Sequence, residues 1–168
     1  MVIRSSAILL VVCFVITTFA ATGAPKKKAS FVPPRPSLAG IHVGMTQDSV
    51  DITMKLIAKR RTTNKLDSLT LIESDSIRVF GEPAYIRVEL LRAKVRTIVV
   101  NYHPLNGGAF FEVRKTVLDY FEKFFGRGVP SQDQSVSHRR WETEDGTHEV
   151  SYTDKYTRIF VRLGKQDH

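Results

Sequence analysis

Asp145-Gly146 stands between two runs that alternate in polarity, and this dipeptide constrains the fold more than any other part of the chain. Asp-Gly is a strong hairpin signal, because the favoured two-residue turn needs positive φ at both central residues. Closing the loop on these two residues sets Glu144 opposite Thr147, Trp141 opposite Val150 and Arg139 opposite Tyr152. It also sets Glu142 opposite Glu149. A second two-residue loop at Asp154-Lys155 pairs Val150 with Ile159 and His148 with Val161. Side chains alternate between faces along a strand, so register decides which of them are inside.

One face of this hairpin pair holds Trp141, Val150, Tyr152, Ile159, Val161 and Leu163, with Arg139 and His148 towards its edges. That face is expected to meet a helix. The other holds His138, Arg140, Glu142, Glu149 and Ser151, followed by Tyr156, Arg158, Phe160 and Arg162. Upstream, Tyr85, Arg87, Glu89, Arg96, Ile98 and Tyr102 continue the same outer face if a turn closes at Arg92-Ala93. The outer face is basic, with aromatic rings set among the charges.

Two helices are expected. Val50, Met54 and Ile57 recur at spacings of four and three, flanked by Leu56 and preceded by Thr46 as N-cap. Gly40 and Gly44 come just before it, and Gly44 reads as the hinge into that cap. The second helix carries Phe110, Val113, Val117, Phe121 and Phe124 on a core face, opens at Asn106-Gly107-Gly108 and ends at Gly126. Strands are expected at Ile77–Val79, Ile86–Leu90, Val95–Tyr102 and in the three runs after the second helix, with a turn at Gly81-Glu82-Pro83. Each half therefore reads helix plus three strands, over about 38–105 and 106–168. The predicted class is α+β: an antiparallel sheet with helices on one face, in a single domain over 38–168.

The N-terminal part has a different character. Arg4 precedes the apolar run Ala7–Ile16, and small residues follow, the layout of a secretory signal peptide. Cleavage is expected after Ala20, or as late as Ala24. Cys13 is the chain's one cysteine and falls inside that run, so the mature chain has no disulfide or thiol chemistry and must rely on its core. Residues 21–37 read as a basic, proline-rich linker carrying Lys26, Lys27 and Lys28 and four of the seven prolines. The formal charge is +8. The expected location is outside the cytoplasm, periplasmic or secreted.

The chemistry of known site types is missing from the pattern. His42, His103, His138, His148 and His168 show no helical i, i+4 pair, and no Gly-x-Ser-x-Gly elbow is present. Ser131 and Ser135 read as parts of a polar loop. No catalytic residue, cofactor or metal ligand is assigned.

Gly44, Met45, Thr46 and Val50 form a Gly-Met-Thr-x-x-x-Val helix entry, which resembles that of small bacterial envelope proteins of the SmpA/OmlA (BamE) type. Phe80–Pro83, "FGEP", is similar to the Leu-Gly-x-Pro turn of that family. The tandem layout of helix and strands resembles the β-lactamase inhibitor protein, which presents an aromatic sheet face to its target. The resemblance implies a non-enzymatic, protein-binding module, either an assembly factor or inhibitor-like. The expected partner-binding residues are Arg140, Tyr156, Arg158, Phe160, Arg162 and His138, with a protein partner in the envelope or extracellular space. Two other readings stand beside it. One is a binder of anionic lipid or polysaccharide that uses the lysine arm and sheet arginines. The other is a small hydrolase whose site follows no recognised pattern.

Overall fold

Two-residue turns build most of this fold. Leu66 pairs with Leu69, Val79 with Glu82, Leu91 with Lys94 and Asp133 with Val136, so each turn spans two residues. Asp67, Phe80, Arg92, Ala93 and Gln134 take the positive φ that such turns demand. The turn expected at Gly81-Glu82-Pro83 is centred one residue earlier, on Phe80-Gly81, and Glu82 and Pro83 open the next strand.

The computed structural model describes residues 35–144, 146–153 and 157–164. The signal-peptide expectation and residues 21–34 of the expected linker, with Lys26, Lys27 and Lys28, lie outside the described residues, as do Tyr156 and His168. In chain order the elements are α1 Gln47–Ile57, β1 Thr62–Leu66, β2 Leu69–Val79, β3 Glu82–Leu91, β4 Lys94–Tyr102, α2 Gly107–Phe125, β5 Val129–Asp133, β6 Val136–Thr143, β7 Gly146–Thr153 and β8 Arg158–Gly164. This is an α+β fold: two helices and one eight-stranded antiparallel sheet in the order β1-β2-β3-β4-β8-β7-β6-β5. Each half is a helix plus four strands rather than three, and the two halves meet at the β4–β8 seam.

The two added strands are the outermost, β1 and β5, and every residue of each is exposed. A strand with no buried face shows no apolar alternation, so "TTNKL" and "VPSQD" read as loops. Ser131 lies in β5 for this reason.

Thr46 occupies the N-cap of α1, as expected, but its hydroxyl meets Ser49 Oγ at 3.0 Å instead of capping the backbone. Gly44 has φ of +84° and donates its N–H to Val95 O at 2.8 Å, while Val95 N–H bonds Met45 O at 2.8 Å. The entry to α1 is thereby fixed to β4 through the backbone. Asn106 caps α2 by accepting from Ala109 N–H at 2.8 Å. At the other end Gly126, φ +73°, closes the helix, and its carbonyl receives Trp141 Nε1–H at 2.8 Å.

One buried cluster joins Val50 and Met54 of α1, Phe110, Val113, Val117 and Phe121 of α2, and strand residues from β2, β3, β4, β6, β7 and β8. Helix α2 reaches β7 and β8. Phe121 packs tilted against Trp141 at 5.2 Å between ring centroids, and Phe125 stacks on His148 at 4.2 Å. Phe124, expected on the core face, is half-buried beside Tyr120.

Both hairpin registers differ from expectation by two residues. Thr143 pairs with Gly146, so Trp141 faces His148 and Arg139 faces Val150. Thr153 pairs with Arg158, which lengthens the β7–β8 loop and sets Val150 opposite Val161. An even shift leaves every side chain on its own face. Trp141, Val150, Ile159, Val161 and Leu163 are buried, and Tyr152 is half-buried beneath Arg114 of α2. His148 is a core residue rather than an edge one, only 1% exposed. It accepts Gly164 N–H at Nδ1, 3.0 Å, which leaves Nε2 to donate to Thr143 Oγ1 at 2.9 Å.

The first half departs once. A bulge separates the pairs Glu89↔Thr97 and Leu90↔Val95. The extra residue reverses the parity of the rest of β4. Ile98 and Tyr102, expected outside, are therefore core residues, and Val99 and Asn101 take the outer face in their place.

Candidate interaction face on the sheet

Two adjacent rungs cross the outer face through the β4–β8 seam. One runs Glu73, Arg87, Val99, Arg162, Glu149, Arg140. The other runs Tyr85, Asn101, Phe160, Ser151, His138. Five of the expected partner-binding residues are described: Arg140, His138, Phe160 and Arg162 sit on these rungs, and Arg158 is one step beyond, opposite Thr153. Tyr156 lies outside the described residues. Sequence reasoning missed Glu73, Val99 and Asn101. The first is hidden because Thr70 and Ser74, on the inner side of β2, are themselves polar and buried, so β2 has no clean alternation. The other two are hidden by the bulge.

Each flank of the face is organised around one carboxylate. On the β2–β3 side, Glu73 Oε1 accepts from Tyr85 OH and from Arg87 Nε at 2.7 Å. The Tyr85 hydrogen bond and then the Arg87 guanidinium hold the Glu73 carboxyl below its ordinary pKa. On the β6–β7 side, Glu149 Oε1 accepts from Ser151 Oγ at 2.6 Å and lies 2.8 Å from His138 Nδ1, while Arg140 Nη2 is 3.9 Å from Oε2. The expected Glu142–Glu149 apposition is absent. The register shift puts Arg140 opposite Glu149 and Thr147 opposite Glu142, replacing a like-charge pair by an ion pair.

Glu149 is 7% exposed. Burial pushes its pKa up, but the hydrogen bonds from Ser151 and His138 and the charges of His138 and Arg140 outweigh it, leaving the carboxyl below its ordinary value. A carboxylate whose folded pKa is depressed stabilises the fold above its unfolded pKa and loses that contribution as pH falls through the folded value. Unfolding midpoints of the wild type should therefore drop as pH goes from about 5 towards 3, and Glu149→Gln should flatten that fall. Parallel slopes for the two proteins in a urea titration across this range would contradict the assignment.

Glu149, His138 and Ser151 contain the residue types of a hydrolytic triad, but the geometry differs. A serine nucleophile needs its proton directed at a base whose other nitrogen meets the acid. Here the one nitrogen, His138 Nδ1, lies 2.8 Å from Glu149 and 3.0 Å from Ser151 Oγ, while the serine donates to the carboxylate itself. The arrangement holds a buried charge rather than activating a hydroxyl. Among the described residues, no three His, Cys, Asp or Glu gather as metal ligands, and no helix is long and apolar enough to cross a membrane.

Between the two carboxylate clusters lies the seam. Arg162 Cζ stands 5.2 Å from the centre of the Phe160 ring, and both residues are half-buried. Arg162 and Arg158 have no carboxylate partner among the described residues. Compared with protein-family models, with curated proteins and with solved structures, the chain matches none of them.

Proposed function

We propose that the protein is a non-enzymatic protein-interaction module, an assembly factor or inhibitor-like, that acts outside the cytoplasm once residues 1–20 are removed. Its partner docks on the outer face of the sheet, with Phe160 and Arg162 as anchors and both helices on the opposite face. The observation that carries this reading is the stacked Phe160–Arg162 pair at the β4–β8 seam. Aromatic and arginine side chains of this kind dominate binding energy at interfaces. The strand residues that share the α1 and α2 core lie on one side of the sheet once the β2 and β4 bulges are followed, which supports an open outer face. Neutralisation of Arg87 by Glu73 and of Arg140 by Glu149 favours a protein over a polyanion, since two sheet cations already have internal partners.

Phe160→Ala should leave unfolding free energy within about 1 kcal/mol of wild type, as for a surface change. It should weaken partner binding by about 1–3 kcal/mol. The test is calorimetry and affinity on the same variant, with the partner identified by photo-crosslinking from position 162 in the native cell. Equal affinity of variant and wild type, or unfolding of the variant, would sink the anchor assignment. Binding that collapses between low and moderate salt in the wild type would favour an anionic polymer or lipid instead.

A further inference from the structure

A cleft of about 580 Å³ opens where β3, β4, β8 and β7 end, beside the seam. It is not part of a flat face: its walls include Asn101 and Phe160 from the outer parity and Tyr102 and Ile159 from the inner one, so it wraps round the strand ends. Its size lies within the range of small-molecule sites, about 300–1,000 Å³. Tyr85 and Phe160 flank Asn101 across two strand spacings, roughly 10 Å at the backbone, which leaves room for a planar ring between them.

Among the described residues, the charged lining of the cleft has one sign. Among the described residues lining it there is no carboxylate, while Arg158 is exposed and has no acidic partner among the described residues. The nearby Glu73 is already held by Tyr85 and Arg87. Two buried side-chain hydroxyls have no hydrogen-bond partner among the described residues, Tyr102 OH and Thr153 Oγ1, and both residues line this cleft. Buried polar atoms are nearly always paired, so these two, one on the inner side of β4 and one on the outer side of β7, mark strand ends whose polar groups are left unsatisfied around the cleft. Burial, then the charge of Glu82, pushes Tyr102 above the ordinary tyrosine range, so its hydroxyl keeps a proton to donate.

We propose that this cleft is a binding site for a small arene carboxylate, its ring between Tyr85 and Phe160 and its carboxylate on Arg158 and the Asn101 amide. A flat apolar ring suits the aromatic walls. An anion suits a lining whose described residues offer a guanidinium and neutral donors and include no acid. The site shares Phe160 with the interaction face but does not rest on the protein-interaction reading, because a free ligand fills it with no partner protein present.

The test is an amide-detected NMR titration of the full chain with naphthalene-2-carboxylate, and separately with naphthalene-2-carboxamide. The carboxylate should give saturable shifts centred on Asn101–His103, Ser151–Thr153 and Arg158–Phe160. The carboxamide should bind at least about fivefold more weakly, and Arg158→Gln should weaken the carboxylate by a similar factor with its spectrum otherwise unchanged. No saturable shift, shifts centred elsewhere, or equal affinity for acid and amide would overturn the proposal. So would binding of a capped Glu-Phe peptide without binding of the arene carboxylate, which would make the cleft a polypeptide site. Only Arg158 is varied, so failure here leaves the Phe160 test of the interaction face intact.

Discussion

Replacing Phe121 by alanine should lower the unfolding free energy by about 3–5 kcal/mol. Its side chain is fully buried. Its ring meets Tyr120 at 6.0 Å, Phe125 at 5.8 Å and Trp141 at 5.2 Å. Truncation removes apolar surface and also leaves a cavity that these large rings cannot close without leaving their own positions. The effect spreads to the end of α2, because Trp141 is held both by Phe121 and by its bond to the Gly126 carbonyl. Typical domains have only about 5–15 kcal/mol of stability, so the variant should melt far below the wild type. Urea denaturation followed by tryptophan fluorescence reads this directly, since Trp141 is the only tryptophan. A loss under about 1 kcal/mol would mean that the α2 face is wrongly placed.

How much of this fold the sequence reveals depends on what each signal encodes. Parity is robust. The β6–β7 and β7–β8 hairpins sit two residues from the register implied by Asp145-Gly146 and Asp154-Lys155, yet the inner set of Trp141, Val150, Ile159 and Val161 is unchanged. Apolar alternation records which face a residue takes and not which residue it pairs with, so an error of two is invisible to it. The electrostatics are not so protected. The same slip turns an expected Glu142–Glu149 apposition into an Arg140–Glu149 pair.

Other features have no one-dimensional signal at all. Edge strands β1 and β5 bury nothing and so cannot alternate. The β4 bulge reverses parity just ahead of an apolar run, "TIVVNY", whose composition fits either face. The candidate face shows both sides of this. Arg140, Phe160, Arg162 and His138 follow from parity alone, whereas Asn101 and Val99 at its centre depend on the bulge. The carboxylate centres depend on pairing across strands that only the fold brings together.

Gly164→Ala should be the other severe substitution, at about 2–4 kcal/mol, from steric overlap added to backbone strain. In the sequence Gly164 looks like the unremarkable end of a strand. In the fold it sits on the β4–β8 seam opposite Thr97 with φ of +116°. A Cβ placed there would lie 2.2 Å from Arg96 O and 3.0 Å from Thr97 Cα. Both are backbone atoms in the centre of the sheet, so no side chain can swing aside to relieve the contact. Moving β8 away from β4 instead would drive it into β7 and disturb the bond from Gly164 N–H to the buried His148 Nδ1. Gly81→Ala supplies the control: φ is also positive, at +87°, but nothing lies within 4 Å of the added carbon. It should cost only about 1 kcal/mol, the strain term by itself. Thermal or urea unfolding of the two variants side by side separates overlap from strain. Equal losses would show that the β4–β8 seam yields to the extra carbon and that the two halves are joined less tightly than the Thr97–Gly164 approach requires.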